Sequence, residues 1–179
     1  MGIAHYEKVD TQNIIAKFTD DFKHRSSLQI PFKERNKDKY LCIIGQNPSI
    51  ANENEADKTL AYFEKFVFIN LPQYDGIIML NLFSRIDTSK KYDTDLDRTE
   101  TYNELVKNIH NNSDFLLAFG AKKKDKAYEF YSKYQVLKPL LKNKILYKLN
   151  IGKTNYPPHP GNPKIFYNNF TVGVTTCTV

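Results

Sequence analysis

Four polar stretches of this 179-residue sequence each follow an apolar run, and each carries side chains able to bind or react. Gly45-Gln46-Asn47-Pro48-Ser49 follows Leu41 to Ile44. Asn81, Leu82, Phe83 and Ser84 follow Ile77 to Leu80. Gly120, Ala121 and Lys122 follow Phe115 to Phe119. The stretch Pro157-Pro158-His159-Pro160-Gly161-Asn162-Pro163 comes after Lys144 to Leu149 and a longer loop. The carboxamides of Gln46, Asn47 and Asn81 offer both a donor and an acceptor, which suits the edge of a planar ligand. Ser49 with His159 could make a hydrolase pair, but no Gly-x-Ser-x-Gly elbow is present. Walker loops and dinucleotide fingerprints are also absent. A small nucleotide or phosphate at the Gly45 loop, held by a helix N-terminus, is a weaker option. Cys42 lies in an apolar run and Cys177 is far from it, so neither metal spacing nor a disulfide framework is evident. No metal or cofactor is expected.

The elements that must position these residues alternate in type. A helical spacing runs from Val9 through Ile14, Ile15 and Phe18 to Phe22. Ser26–Phe32 and Lys39–Gly45 flank a polar turn and read as a hairpin or two neighbouring strands. A helix is expected from about Asp57, which can cap it, with Leu60, Phe63, Phe66 and Val67 on one face. Then follow a buried strand over Asp75–Phe83, a helix over Leu96–Asn112 with Leu105, Val106 and Ile109 inward, and a strand over Asp114–Gly120. A further helix, interrupted before Pro139, leads to a strand over Lys144–Leu149. Alternating strands and helices predict an α/β fold: a three-layer α/β/α sandwich around a mainly parallel sheet of about four strands. In such sheets ligands bind beyond the carboxyl ends of the strands, where the four polar loops converge. One domain over residues 1–179 is expected, with a leading helix and strand in 1–38, a motif-bearing core in 39–165 and a C-terminal segment in 166–179.

Lys plus Arg number 26 and Asp plus Glu 20, giving a net charge of +6. That permits an anionic partner, nucleic acid or an acidic protein, although lysine-rich chains are often simply soluble. No apolar run is long enough to span a membrane and no signal-peptide pattern opens the chain, so a cytoplasmic location is expected.

Taken in order, the loops resemble those of the uracil-DNA glycosylase superfamily. Gly45-Gln46-Asn47-Pro48-Ser49 is similar to its Gly-Gln-Asp-Pro-Tyr or Gly-Ile-Asn-Pro-Gly loop. Ile78-Met79-Leu80-Asn81 is similar to its Leu-Leu-Leu-Asn strand end, and Leu116 to Lys124 to its Leu-Leu-Trp-Gly strand with Ala and lysines. His159-Pro160-Gly161-Asn162 matches in part its His-Pro-Ser-Pro loop. A closer resemblance is to a glycosylase-like family known only as a domain of unknown function. Its members include a pseudo uracil-DNA glycosylase of mobile genetic cassettes. The resemblance implies a glycosylase-like sheet topology and a pocket formed by Gln46, Asn47, Pro48, Ser49, Asn81, His159 and Pro160. Asn81 would read the edge of a flipped base, and His159 would donate a hydrogen bond to the departing base anion.

The sequence departs from that pattern where chemistry is done. Asn47 stands where the most active glycosylases carry Asp, although a mismatch-specific branch also has Asn there. Asn cannot act as a general base. Ser49 replaces the Tyr or Gly of the family loop. Only eight residues separate Pro48 from Asp57, which is short for the segment bearing the aromatic that stacks on uracil. The DNA-wedging Leu has no clear equivalent, with Ile165 and Phe166 nearby. Asn47 and His159 are therefore expected to be vestigial. The resemblance also implies a basic DNA groove, which is the surface that acidic DNA-mimic inhibitor proteins occupy. The expected function is a non-catalytic glycosylase-like protein binding such an inhibitor through Lys122, Lys153, Tyr156, Lys164, Ile165 and Phe166, with weak DNA binding possible. The alternative is an active glycosylase on uracil or mismatched bases.

Overall fold

Leu41 and Ile43 point to one side of a strand, and Cys42 and Ile44 to the other, and all four are buried. Burial on both faces explains why this run lacks polar residues. The computed structural model describes residues 2–36, 38–87, 95–121, 130–168 and 170–178. Its strands are β1 (Ile15–Phe18), β2 (Arg25–Pro31), β3 (Tyr40–Gly45), β4 (Gly76–Asn81), β5 (Asp114–Leu117), β6 (Ile145–Leu149) and β7 (Val174–Thr176). Its helices are α1 (Lys58–Asn70), α2 (Thr99–Asn111), α3 (Phe130–Leu141) and α4 (Pro163–Phe166). One sheet holds all seven strands in the order β1-β2-β4-β3-β5-β6-β7. α1 packs over the face that carries Leu41 and Ile43; Leu105 and Ile109 of α2 and Leu137 of α3 pack over the face that carries Cys42 and Ile44.

The α/β class stands, but the sheet is larger than four strands and is mixed rather than mainly parallel. β4, β3, β5 and β6 run parallel. β1 on β2, β2 on β4 and β7 on β6 are antiparallel. β2 and β3 are not neighbours, because β4 lies between them. Gly76 permits that insertion: a Cβ there would lie 2.4 Å from the Ile30 carbonyl oxygen.

Two further expectations need correction. The leading helix is absent; a short 3-10 turn at Thr11–Asn13 precedes β1. Burial alternates along β1, and Ile15 is half exposed, so its apolar residues follow a period of two rather than a helical stripe. α3 runs through Pro139, because Leu137 and Leu141, one turn apart, are both buried while Pro139 faces solvent. β7 adds an edge strand in the C-terminal segment.

No helix among the described residues is long and apolar enough to cross a membrane.

Candidate functional site

Gly45 and Asn81 face each other across the carboxyl ends of β3 and β4. A Cβ on Gly45 would sit 2.9 Å from Asn81 Oδ1, so the glycine gives the amide its place. Beyond them the loops stay joined: the Leu82 N–H donates to the Gly45 carbonyl at 3.0 Å and the Phe83 N–H to that of Gln46 at 2.9 Å. Asn47 Nδ2 donates to the Asp87 carbonyl at 2.6 Å and to that of Pro48 at 3.2 Å. Its two N–H groups are thus engaged, and its oxygen is the group left for a ligand or water. Ser49 Oγ accepts from the Ala51 N–H at 3.2 Å, the bond of a turn.

On the far side, the Gly120 N–H donates to the Pro157 carbonyl at 2.8 Å, which joins the third loop to the fourth. Gly120 has φ +81°, and a Cβ there would press on His159 Cβ at 3.3 Å. His159 Nδ1 accepts from the Gly161 N–H at 3.0 Å. In the neutral ring this puts the proton on Nε2.

These loops enclose a cavity of about 270 Å³. Gln46, Asn47, Pro48, Ser49, Asn81 and His159 all line it. Pro160 is buried in the same turn but does not line the cavity. The cavity residues that escaped the sequence reading include Arg25, Asp57, Phe63 and Asp87. Phe63 comes from α1, so the short loop does not deprive the cavity of an aromatic wall. Asp57 also caps α1, with Oδ1 accepting from the Leu60 N–H at 2.7 Å. Arg25 heads β2 and is 3% exposed. Its Nη1 donates to the Ala51 carbonyl at 2.5 Å, and its Nε has no partner. Burial, partly offset by Asp57, lowers its pKa to about 10, so it stays charged at neutral pH. Asn81 Nδ2 is likewise buried without a partner. A charged strand head before an apolar run was the available signal for Arg25; Phe63 reads as core and Asp57 as a cap from sequence.

The residues expected to meet a partner divide. Lys153, Tyr156 and Lys164 line one open groove of about 1060 Å³, together with Lys148 and Asn162. Among the described residues, no carboxylate lines it. Asn162 lies three residues beyond His159, so one loop serves both cavity and groove. Tyr156 borders the groove and not the cavity. Ile165 is fully buried and cannot be a surface anchor: α4 turns it into the core beneath α1, while Phe166 and Tyr167 are exposed at 52% and 78%. Lys122 lies outside the described residues.

A protein-family model described as "Protein of unknown function (DUF1643)" matches residues 25–161, more than half of the chain. The chain belongs to the DUF1643 family. The matched span begins at Arg25 and ends just past His159, so it contains every residue lining the cavity. Comparisons with curated proteins and with solved structures return no match.

The cavity of this DUF1643 protein, about 270 Å³ in volume, has room for a small ligand. Two unpaired buried donors, Arg25 Nε and Asn81 Nδ2, call for acceptor atoms, because an unpaired buried polar group is costly. Among the described residues, no group of three His, Cys, Asp or Glu is placed to hold a metal ion.

Proposed function

We propose that this protein is a glycosylase-like pseudo-enzyme that binds an acidic, DNA-mimicking glycosylase-inhibitor protein through the surface beside its cavity. The observation that carries the reading is the groove lined by Lys148, Lys153 and Lys164, with no carboxylate among the described residues that line it, and the exposed Phe166 and Tyr167 that follow Lys164 in the chain. Lysines would steer an acidic partner, and the aromatics would supply buried anchors. The parallel strands β4, β3, β5 and β6, with polar loops at their carboxyl ends, are compatible with a glycosylase-like topology around this surface. The first loop supplies the cavity with an amide whose N–H groups are already engaged, and an amide cannot take a proton from water.

A second reading, an active glycosylase on uracil or mismatched bases, is favoured by Asp57 and Asp87 in the cavity wall. Against Asp57 as a free base, one of its oxygens already caps α1. Two measurements on the same preparation separate the readings. Capture of an acidic DNA-mimic inhibitor, with no uracil released from single- or double-stranded DNA at excess protein, supports the pseudo-enzyme. Efficient uracil release sinks it, and failure to bind any such inhibitor removes the partner.

A further inference from the structure

The segment from Gly2 to Val9 lies across the loop that brings Ser49 and Asp57 to the cavity. Ile3 and Ala56 exchange both backbone hydrogen bonds, at 2.9 and 2.8 Å. At the other end, the Lys33 N–H donates to the Lys8 carbonyl at 2.8 Å, and Val9 bridges Phe32. Between these attachments the His5 side chain is buried. Its Nδ1 lies 2.6 Å from Glu64 Oε1 on α1, and its Nε2 lies 3.0 Å from the Asn52 carbonyl oxygen. Glu64 is itself fully buried, and its second oxygen accepts from the Tyr6 N–H at 2.8 Å.

A carbonyl and a carboxylate both only accept. For both His5 contacts to be hydrogen bonds, both ring nitrogens must carry protons, so the geometry is that of an imidazolium. A neutral ring keeps one bond and loses the other. Arg25 grips the same loop from inside, through the Ala51 carbonyl. The loop is therefore held between a cation beneath it and a titrating cation above it.

We propose that the Gly2–Val9 segment is a pH-operated clasp on the cavity's loop, closed while His5 is doubly protonated and loosened when it loses one proton. As regulation of the cavity, this rests on the reading of the cavity as a binding site; as a structural switch it does not. Burial opposes the charge on His5, but the Glu64 carboxylate and the Asn52 and Glu53 carbonyls outweigh it and raise the pKa above 6.5. The other charged groups nearby face elsewhere: Glu55 lies against Gly2, Glu7 is exposed, and Lys8 reaches outward to Glu34 at 4.0 Å. A raised histidine pKa contributes stability that is complete below the unfolded value of 6.5 and fades as pH rises through the higher folded value. The clasp therefore loosens on the alkaline side of 6.5.

The test is amide hydrogen exchange from about pH 6 to about pH 9, corrected for intrinsic exchange, read at Ile3, Tyr6 and Ala56. In the unaltered protein, protection at these three amides should fall about tenfold or more with rising pH, as expected for losing one charge-assisted bond. Amides pairing β3 with β4 should keep theirs. In His5→Gln, protection at the three should be low and independent of pH. A flat profile in the unaltered protein overturns the proposal, as does wild-type pH dependence in His5→Gln. Titration of the His5 ring by NMR gives a check that needs no variant: a folded pKa at or below 6.5 overturns it too. The readout requires no ligand, so a failed inhibitor capture leaves the clasp standing, and a flat exchange profile leaves the partner reading untouched.

Discussion

Asn47 offers its two N–H groups to carbonyls of its own loop and of the Asp87 segment, and this bond pattern decides what an acid at position 47 would do. Asn47→Asp would set a carboxylate oxygen against the Asp87 carbonyl, now 2.6 Å from the amide nitrogen. Two acceptors repel, so the variant should lose about 1–3 kcal/mol of stability, measured by denaturant unfolding. It should also release no uracil, because the loop must move before the new carboxylate can face the cavity. Gly45→Ala attacks the neighbouring amide by size alone. Its Cβ would crowd Asn81 Oδ1 at 2.9 Å, displacing the Asn81 amide or costing about 1–3 kcal/mol of overpacking. Comparing its unfolding curve with that of Asn81→Ala in the Gly45→Ala background checks this, since removing the amide should remove most of the penalty. At this scale the sequence is legible where a side chain sits directly after a strand, as with Gln46, Asn47 and Asn81. Arg25, Phe63 and Asp87 reach the same cavity from a strand head, a helix interior and a second loop, and only the folded chain brings them there.

Elements were legible where burial is two-sided or where a cap announces them. β3 and β4 carry apolar runs, Leu41 to Ile44 and Ile77 to Leu80, buried on both faces, and Asp57 starts α1 through the bond to the Leu60 N–H. Asp57→Ala should cost about 1 kcal/mol, while Asp57→Asn, which keeps a capping oxygen, should cost only a few tenths. Equal losses in thermal unfolding would mean that the charge facing Arg25, and not the cap, is what Asp57 supplies. The edges were illegible because their patterns are weak. β1 spans four residues with Ile15 exposed, and its apolar neighbours happen to fall at helical intervals. Strand order was hidden for a different reason: nothing near Ser26–Phe32 says that its partner is β4, some fifty residues on. The trace is Gly76, which must be small because β2 passes so close. Gly76→Ala would meet the Ile30 carbonyl at 2.4 Å, a backbone atom that cannot swing away. A loss of about 2–3 kcal/mol is expected in chemical denaturation, with β2 amides exchanging faster than those of β3.

For the whole molecule, the charge of +6 acquires meaning only through its distribution. Lys148, Lys153 and Lys164 line one groove, whereas several other cations are paired with carboxylates, such as Lys17 with Glu104 and Lys133 with Asp97. Under the proposed function, groove charge and aromatic anchors act on different steps of binding. Lys153→Glu with Lys164→Glu should slow association with an acidic inhibitor roughly tenfold or more at low salt, and the difference from the unaltered protein should shrink as salt screens it. Phe166→Ala with Tyr167→Ala should mainly speed dissociation, because these side chains are 52% and 78% exposed and free to be buried by a partner. Ile165→Ala is the internal control. Ile165 is fully buried, so its truncation should cost about 2–5 kcal/mol of folding stability, with any effect on binding following from unfolding. Association rates by surface plasmon resonance over a salt series, with unfolding curves for each variant, separate these outcomes. If the lysine reversals leave association unchanged at low salt, the groove does not steer the partner, and the anionic surface must dock elsewhere on the chain.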